Sequence, residues 1–204
     1  MAYSNFTLPT VIKKFDLHLI DNLPLGLPFT PVQPTPALVH MLERGVSVAV
    51  KQNTEKARSE FIIAPILLEV RSLVQNSVSV FSGVEFNVDS EQGLIGICDF
   101  LFSRSTQQLY LEAPVLIVVE AKNENFKQGI AQATAEMVAT QIFNEREGSP
   151  QSRIYGAVTI GNSWQFLQLE NRVLTVDYRS YDLDELPEIL GILVTMLENP
   201  VIVS

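Results

Sequence analysis

The sequence has few of the residues that build disulfide frameworks or zinc sites. It contains one cysteine, Cys98, and two isolated histidines, His18 and His40. A single thiol cannot form a disulfide within the chain, and zinc sites need clustered histidine or cysteine ligands. This composition argues against a zinc enzyme and favours a reducing, cytoplasmic location. Because Cys98 lies in an apolar run, we expect it to be a small core residue.

Long hydrophobic runs and clusters of basic residues are also missing. The longest apolar stretch, residues 61–68 with Pro65 inside it, is much shorter than the ~20 residues that cross a bilayer. Residues 1–15 lack the apolar region of a signal peptide, so we expect no contact with a membrane. A net charge of −9 without a Lys/Arg cluster disfavours tight, non-specific binding to a polyphosphate.

The remaining composition is typical of one globular domain. The 204 residues are 47% hydrophobic, which is enough for a substantial core, and residues 1–36 form a proline-rich segment of that single domain. The patterns predict helices at 36–44 (ending at Gly45), 55–74 (kinked at Pro65), 126–144 and 184–198, and strands at 78–88, 94–103, 115–119, 154–160, 163–169 and 173–178. We therefore predict an α/β fold, in which helices cover both faces of a central mixed sheet and a C-terminal β-meander completes one edge.

The most informative stretch is the strand at 115–119 and the residues that follow it. Five apolar residues, four of them β-branched, run directly into Glu120-Ala121-Lys122. Such a run is typical of a fully buried central strand. Because side chains alternate along a strand, Glu120 and Lys122 should lie on one face, roughly 6–7 Å apart. Burying two charges is costly, so we expect the pair to perform chemistry or to be neutralised by a partner.

A second carboxylate lies in the preceding apolar strand. Asp99 interrupts the run from Gly96 to Phe102, and an Asp99 beside Glu120 would offer two acceptors to a hard divalent cation. With Lys122 alongside, this constellation is typical of a nuclease. The alternative is a purely structural Glu120–Lys122 ion pair in an unrelated α/β fold.

These residues carry a resemblance to a known family. Gly96-x-x-Asp99, then Glu120-x-Lys122 at the end of an apolar strand, then Gln132 on the following helix, resembles the PD-(D/E)XK (restriction endonuclease-like) nuclease superfamily over roughly residues 54–169. In detail the chain is similar to the N-terminal nuclease region of type I restriction subunits and to related bacterial proteins, many of them cyanobacterial. Cys98 stands where the family's name implies a proline.

The resemblance implies a Mg²⁺-dependent (or Mn²⁺-dependent) nuclease that hydrolyses phosphodiester bonds of DNA. Asp99, Glu120 and the backbone carbonyl of Ala121 would bind the metal. Lys122 would position or deprotonate the attacking water, or stabilise the charge that develops on the phosphate. Many such nucleases cut two strands, so the resemblance also allows a homodimer. The alternative is a PD-(D/E)XK-fold module that has lost catalysis and serves in binding or assembly, which the acidic charge favours.

Three further residues enter through the same resemblance. In the superfamily a glutamate on the first core helix commonly points at the metal, and both Glu60 and Glu55 qualify. Either could instead be a solvated carboxylate favoured by the helix dipole. Gln132 would reach back to the active site, although its row with Gln128 and Glu136 could also be a solvated side of the helix.

Overall fold

The structure is a computed structural model that describes residues 2–75 and 77–198. Its strands are β1 His18–Ile20, β2 Ser79–Glu85, β3 Ile97–Ser103, β4 Val115–Ala121, β5 Arg153–Thr159, β6 Ser163–Glu170 and β7 Val173–Asp182. Within the described residues they form one seven-stranded sheet in the order β1-β7-β6-β5-β4-β3-β2. The pairs β1–β7 and β4–β5 are parallel and the other neighbours are antiparallel, so the predicted mixed sheet is confirmed.

Helices cover both faces of this sheet, as predicted. They are α1 Leu8–Phe15, α2 Pro36–Gln52, α3 Glu55–Arg58, α4 Ala64–Leu73, α5 Phe126–Arg146 and α6 Leu186–Glu198. The core on one side combines side chains from α2, α4 and α6 with one face of the sheet, and the core on the other combines α1 and α5 with the opposite face. No helix in the described ranges is long and apolar enough to cross a bilayer.

Strand β4 lies in the middle of the sheet and is buried along its whole length. Its β-branched residues fill both hydrophobic cores, which explains why the run has no polar alternation. The pairing of β3 with β4 shifts register between Phe102 and Ser103. At Val115 the side chain of Asn144 on α5 accepts from the backbone N–H and donates to the carbonyl, both at 2.8 Å. Asn144 therefore anchors the start of β4 to α5.

The prediction that Gly45 ends its helix was wrong, because α2 continues to Gln52. A Cβ added at Gly45 would lie 2.4 Å from the carbonyl oxygen of Phe61. The glycine therefore lets α2 approach the next helical segment closely, and it does not act as a stop signal. The helix ends instead at Asn53, which has a left-handed conformation (φ 51°) and follows the apolar run 46–50.

The predicted helix at 55–74 is confirmed in outline but contains an irregular centre. Thr54 caps it by accepting from the N–H of Ala57 at 3.1 Å. A π-helical segment, Ser59–Ile63, separates α3 from α4 just before Pro65. Proline lacks the N–H that would bond to the carbonyl four residues earlier, and a π-turn accommodates that loss. Most apolar residues of α4 are buried, but Leu68 is 55% exposed.

The N-terminal segment contains a helix and a strand that the hydrophobic patterns did not predict. The stretch 7–19 forms α1 and then β1, which pairs with β7, so the meander β5–β6–β7 does not itself form the edge of the sheet. Residues 21–35 contain no helix or strand. The C-terminal helix begins at Leu186 after a 3-10 turn, Leu183–Glu185. Proline favours the end of a helix, so the sequence also predicts a stop at Pro200, which lies outside the described residues.

Candidate functional site

Strands β3 and β4 bring the two predicted metal ligands together. Phe100 pairs with Val119 and Leu101 with Val118, so one further step of the same register sets Asp99 opposite Glu120. Oδ2 of Asp99 accepts a hydrogen bond of 2.8 Å from the backbone N–H of Ala121. The two carboxyl groups predicted from separate strands therefore share one end of the sheet.

Lys122 lies directly beside this pair. Its ammonium group donates a hydrogen bond to Oε1 of Glu120, which is fully buried, and its Nζ lies 4.0 Å from Oε2 of Glu55. Its backbone N–H donates to the carbonyl of Thr159 at 2.8 Å, which extends the β4–β5 pairing by one residue. The predicted Glu120–Lys122 proximity is present, and Glu55 joins it from α3.

Gly129 on α5 makes this close packing possible. A Cβ at that position would lie 2.5 Å from Cγ1 of Val158 on β5 and 3.1 Å from Cγ of Lys122. Only a residue without a side chain lets α5 pass this near the ends of β4 and β5. The glycine therefore helps to hold the Lys122 side chain against Glu120.

The two candidate glutamates of the first core helix occupy different positions. Glu55 and Glu60 both line a cavity of about 260 Å³ that also includes Asp99 and Gly83. Glu60 forms an exposed ion pair with Lys56 at 3.1 Å, whereas Glu55 reaches towards Lys122. The structure therefore brings Glu55 into the charged cluster and leaves Glu60 at the cavity wall.

The interpretation of the Gln128, Gln132 and Glu136 row as a solvated helix side was wrong. Gln132 and Glu136 are buried, and the amide of Gln132 donates to Oε1 of Glu136 at 3.1 Å. Gln128 donates to the carbonyls of Ser4 and Phe6, at 3.0 and 3.2 Å. The N-terminal segment therefore covers this face of α5, and Gln132 contacts the site through Glu136.

Glu136 is the main site residue that sequence reasoning missed. Burial raises the pKa of its carboxyl group to about 8, the hydrogen bond from Gln132 opposes that shift, and the negative charge of Asp99 adds to it. A pattern in the sequence could have placed Glu136 near the site. It follows Gln132 by one helical turn, and the residues around it on the helix are mostly apolar. Its charge favoured a solvent-facing assignment, but the side chain is buried beside Asp99 and Glu120 of β3 and β4.

Burial raises the pKa values of the carboxyl groups in this cluster and so disfavours their ionised forms. Burial raises the pKa of Glu120 well above its usual range, and the charges of Glu136 and Asp99 raise it further, against the lowering effect of Lys122. Burial also raises the pKa of Asp99, although the Ala121 N–H opposes it. Burial lowers the pKa of Lys122, but its acidic neighbours raise it by more, so the ammonium form is favoured.

The donor groups fit a two-carboxylate metal site better than a larger cluster. Across residues 2–75 and 77–198, no group of three or more His, Cys, Asp or Glu side chains is arranged to hold a metal ion. Oε2 of Glu120 is buried without a hydrogen-bond partner among the described residues. Mg²⁺ is commonly held by one or two carboxylates and keeps several waters. Asp99, Glu120 and the carbonyl of Ala121 match that donor chemistry.

The chain matches no known protein-family model and no curated protein sequence. What the fold and the side chains define is an α/β protein with an acidic cluster and one lysine at the end of the central strand.

Proposed function

We propose that the protein is a Mg²⁺-dependent or Mn²⁺-dependent nuclease of the restriction endonuclease-like class, which hydrolyses phosphodiester bonds of DNA. The observation that carries the proposal is the position of Asp99 opposite Glu120 at the end of β4, with Lys122 on the same face. The order of a helix, three antiparallel strands, a crossover helix and a parallel fourth strand supports the expected restriction endonuclease-like fold.

The chemistry divides among residues that already lie together. Asp99, Glu120 and the carbonyl of Ala121 would hold a divalent cation. When bound, such a cation would offset the negative charge of the phosphate and activate a water molecule. Lys122 would hold or transfer a proton at that water, or balance the charge that develops on the phosphate oxygens. Glu55 would keep the ammonium group oriented, and Gln132 would act through Glu136.

The shape of the cavity favours a particular kind of substrate contact. Its volume of about 260 Å³ is below the range of roughly 300–1,000 Å³ typical of pockets that enclose small molecules. Among the described residues, no atom lies within 4 Å of a Cβ built at Gly83, so the cavity is open on that side. A site of this kind suits one phosphate group of an extended strand better than a fully enclosed nucleotide.

The net charge of −9 limits how the protein could hold DNA. Two cations, Lys56 and Lys122, lie close to the cavity. A bound divalent cation would offset the carboxylates locally, and local charge matters most because screening limits electrostatic reach to about 10 Å. We therefore expect weak non-specific binding and a dependence of DNA binding on the metal.

A second candidate is a module of the same fold that binds or assembles without catalysis. The Glu120–Lys122 hydrogen bond favours it, because it neutralises one buried carboxylate without any ion. In such a module the ion pair would be a structural remnant of a metal site.

Titration calorimetry with Mn²⁺ and Mg²⁺, followed by cleavage assays, separates the two. The nuclease proposal expects wild-type protein to bind Mn²⁺ and to cleave duplex, single-stranded or branched DNA, and expects Asp99→Ala to lose both properties. Glu145→Ala is the matched control, since that carboxylate is exposed on α5 and does not line the cavity. Folded wild-type protein that binds neither ion would refute the nuclease proposal and favour the binding module.

A further inference from the structure

An apolar groove runs along the outer side of α2, away from the candidate active site. It encloses about 610 Å³ between α2 and the segment that leads into α6. Val39, Val46 and Val50 form one wall, and Leu183 and Leu186 form the other. Val39 and Val50 are 39% and 47% exposed. Val39 and Val50 therefore expose aliphatic surface in the groove, whereas Leu42 and Leu186, which also line it, are buried.

Helix α2 carries these exposed valines in addition to the stripe that packs into the core. Leu38, Leu42, Gly45 and Ala49 are buried and recur at helical spacing. Val39, Val46 and Val50 follow the same spacing about 100° further round the helix, where Val39 and Val50 are exposed and Val46 packs partly against the core. A surface helix of a monomer usually shows one apolar stripe. On α2 the apolar face is wide enough to leave Val39 and Val50 exposed, which is typical of a helix that packs against another protein surface.

The charged residues beside the exposed valines are arranged symmetrically. Glu43 lies four residues before Ser47 and Lys51 lies four residues after it, and all three line the groove. If two copies of α2 pack antiparallel about a two-fold axis at Ser47, Glu43 of each copy faces Lys51 of the other. A two-fold interface requires this kind of self-complementary surface.

We propose that this groove is a dimer interface in which α2 packs antiparallel against α2 of a second copy of the chain. In that register Val46 of each copy lies within one helical turn of both Val46 and Val50 of the other. The small side chain of Ser47 lies on the axis and allows close approach. The valines insert between α2 and the Leu183–Leu186 wall of the second copy, which removes them from water.

The equal spacing of Glu43 and Lys51 about Ser47 favours a second copy of the chain over any other molecule that could bind in the groove. A small apolar ligand would fill the groove without using Glu43 and Lys51, and an unrelated protein would have no reason to match their equal spacing about Ser47. The 17 residues of α2 span about 25 Å, so the contact belongs to the small end of protein interfaces. We expect reversible association in the micromolar range.

Analytical ultracentrifugation of the full chain across the micromolar range tests the proposal. Wild type should shift from monomer to dimer with rising concentration, and Val50→Asp should remain monomeric. Glu43→Lys and Lys51→Glu should each weaken association about tenfold or more, because each places like charges opposite one another. The double variant Glu43→Lys/Lys51→Glu should recover most of the wild-type affinity.

The controls make each outcome decisive. Leu109→Asp changes a side chain that is 91% exposed elsewhere and should dimerise like wild type. Circular dichroism confirms that each variant is folded. A monomeric wild type, a Val50→Asp variant that dimerises normally, or a double variant that fails to recover would each overturn the proposed two-fold contact. None of these results depends on nuclease activity, so this inference and the proposed function can fail separately.

Discussion

The side chain of Asp99 is held by the backbone of Ala121, whose N–H donates to Oδ2 at 2.8 Å. This bond links a carboxylate of β3 to the end of β4, the point where Glu120 and Lys122 emerge. The candidate metal ligands are thus positioned by the sheet itself, and cation binding would not need to assemble them. Such preorganisation has a cost, because the same packing buries several carboxyl groups around a single ammonium group.

Replacing Asp99 with asparagine should separate metal binding from stability. Asparagine keeps an oxygen that can accept from the Ala121 N–H but removes the negative charge. Because burial raises the pKa of Asp99, losing that charge should leave the free energy of unfolding unchanged or raise it slightly. Calorimetry should show Mn²⁺ affinity reduced by at least about tenfold. Wild-type Mn²⁺ binding by Asp99→Asn would remove Asp99 from the metal site.

The free energy of unfolding should fall as the pH rises from about 4.5 to about 8 because of Glu136. Its pKa is about 8 in the folded chain and about 4.5 when exposed. The folded state therefore binds the proton more tightly, so the stabilisation is complete below pH 4.5 and is lost as the pH approaches 8. Over that window the effect is worth up to about 5 kcal/mol, and denaturant unfolding at several pH values measures it.

Glu136→Gln should flatten this pH profile and make the protein more stable than wild type at pH 8. The glutamine amide occupies similar space, carries no charge and can still accept a hydrogen bond from Gln132. Glu145→Gln, an exposed change on the same helix, is the matched control and should follow the wild-type profile. Parallel profiles for wild type and Glu136→Gln would show that the buried carboxyl group does not carry the effect.

Lys122→Met should abolish metal-dependent cleavage while the fold persists. Methionine retains much of the aliphatic stem but leaves Glu120 without its ammonium partner. Because Glu120 can take up a proton, we expect a loss of about 1–3 kcal/mol, below the 3–5 typical of a broken buried ion pair. Lys127→Met, an exposed lysine of α5, should retain both activity and stability. Cleavage at the wild-type rate by Lys122→Met would exclude a catalytic role for the lysine.

The sequence predicts the central features of this molecule because they follow from local patterns. A β-branched run has few alternatives to a buried strand, so β4 and the shared face of Glu120 and Lys122 are predictable. Trp164 and Phe166, two aromatic residues of the predicted strand 163–169, are fully buried. Cys98, which was expected in the core, is buried as well.

Features that depend on distant contacts could not be predicted in the same way. Gly45 looks like a helix stop until the backbone of Phe61 is known to pass against it. Glu136 looks solvated until Asp99 and Glu120 of β3 and β4 are known to lie beside it. The choice between Glu55 and Glu60 depends on which of them reaches Lys122, and only Glu55 lies within 4.0 Å of it, while Glu60 pairs with Lys56. In each case the deciding neighbour lies on another element, which the pattern does not encode.

Gly129→Ala should disturb the site from the far side of Lys122. The added methyl group would lie 2.5 Å from Cγ1 of Val158 and 3.1 Å from Cγ of Lys122, so α5 must move away from the sheet or these side chains must shift. Overpacking of this kind costs typically about 1–3 kcal/mol, although alanine is the better helix former by up to about 1 kcal/mol. We therefore expect a net loss of stability and reduced Mn²⁺-dependent cleavage.

The double variant Gly129→Ala/Val158→Ala identifies the cause of that loss. Removing the two methyl groups of Val158 relieves the closest contact, so the two changes should be strongly non-additive and the second should restore part of the stability. Val158→Ala alone should destabilise by about 1–2 kcal/mol, because it leaves a small cavity beneath α5. Denaturant unfolding of the two single variants and the double variant measures this coupling. Additive losses of stability would show that α5 does not pack against β5 as closely as the structure indicates. Gly129 would then not hold Lys122 in place.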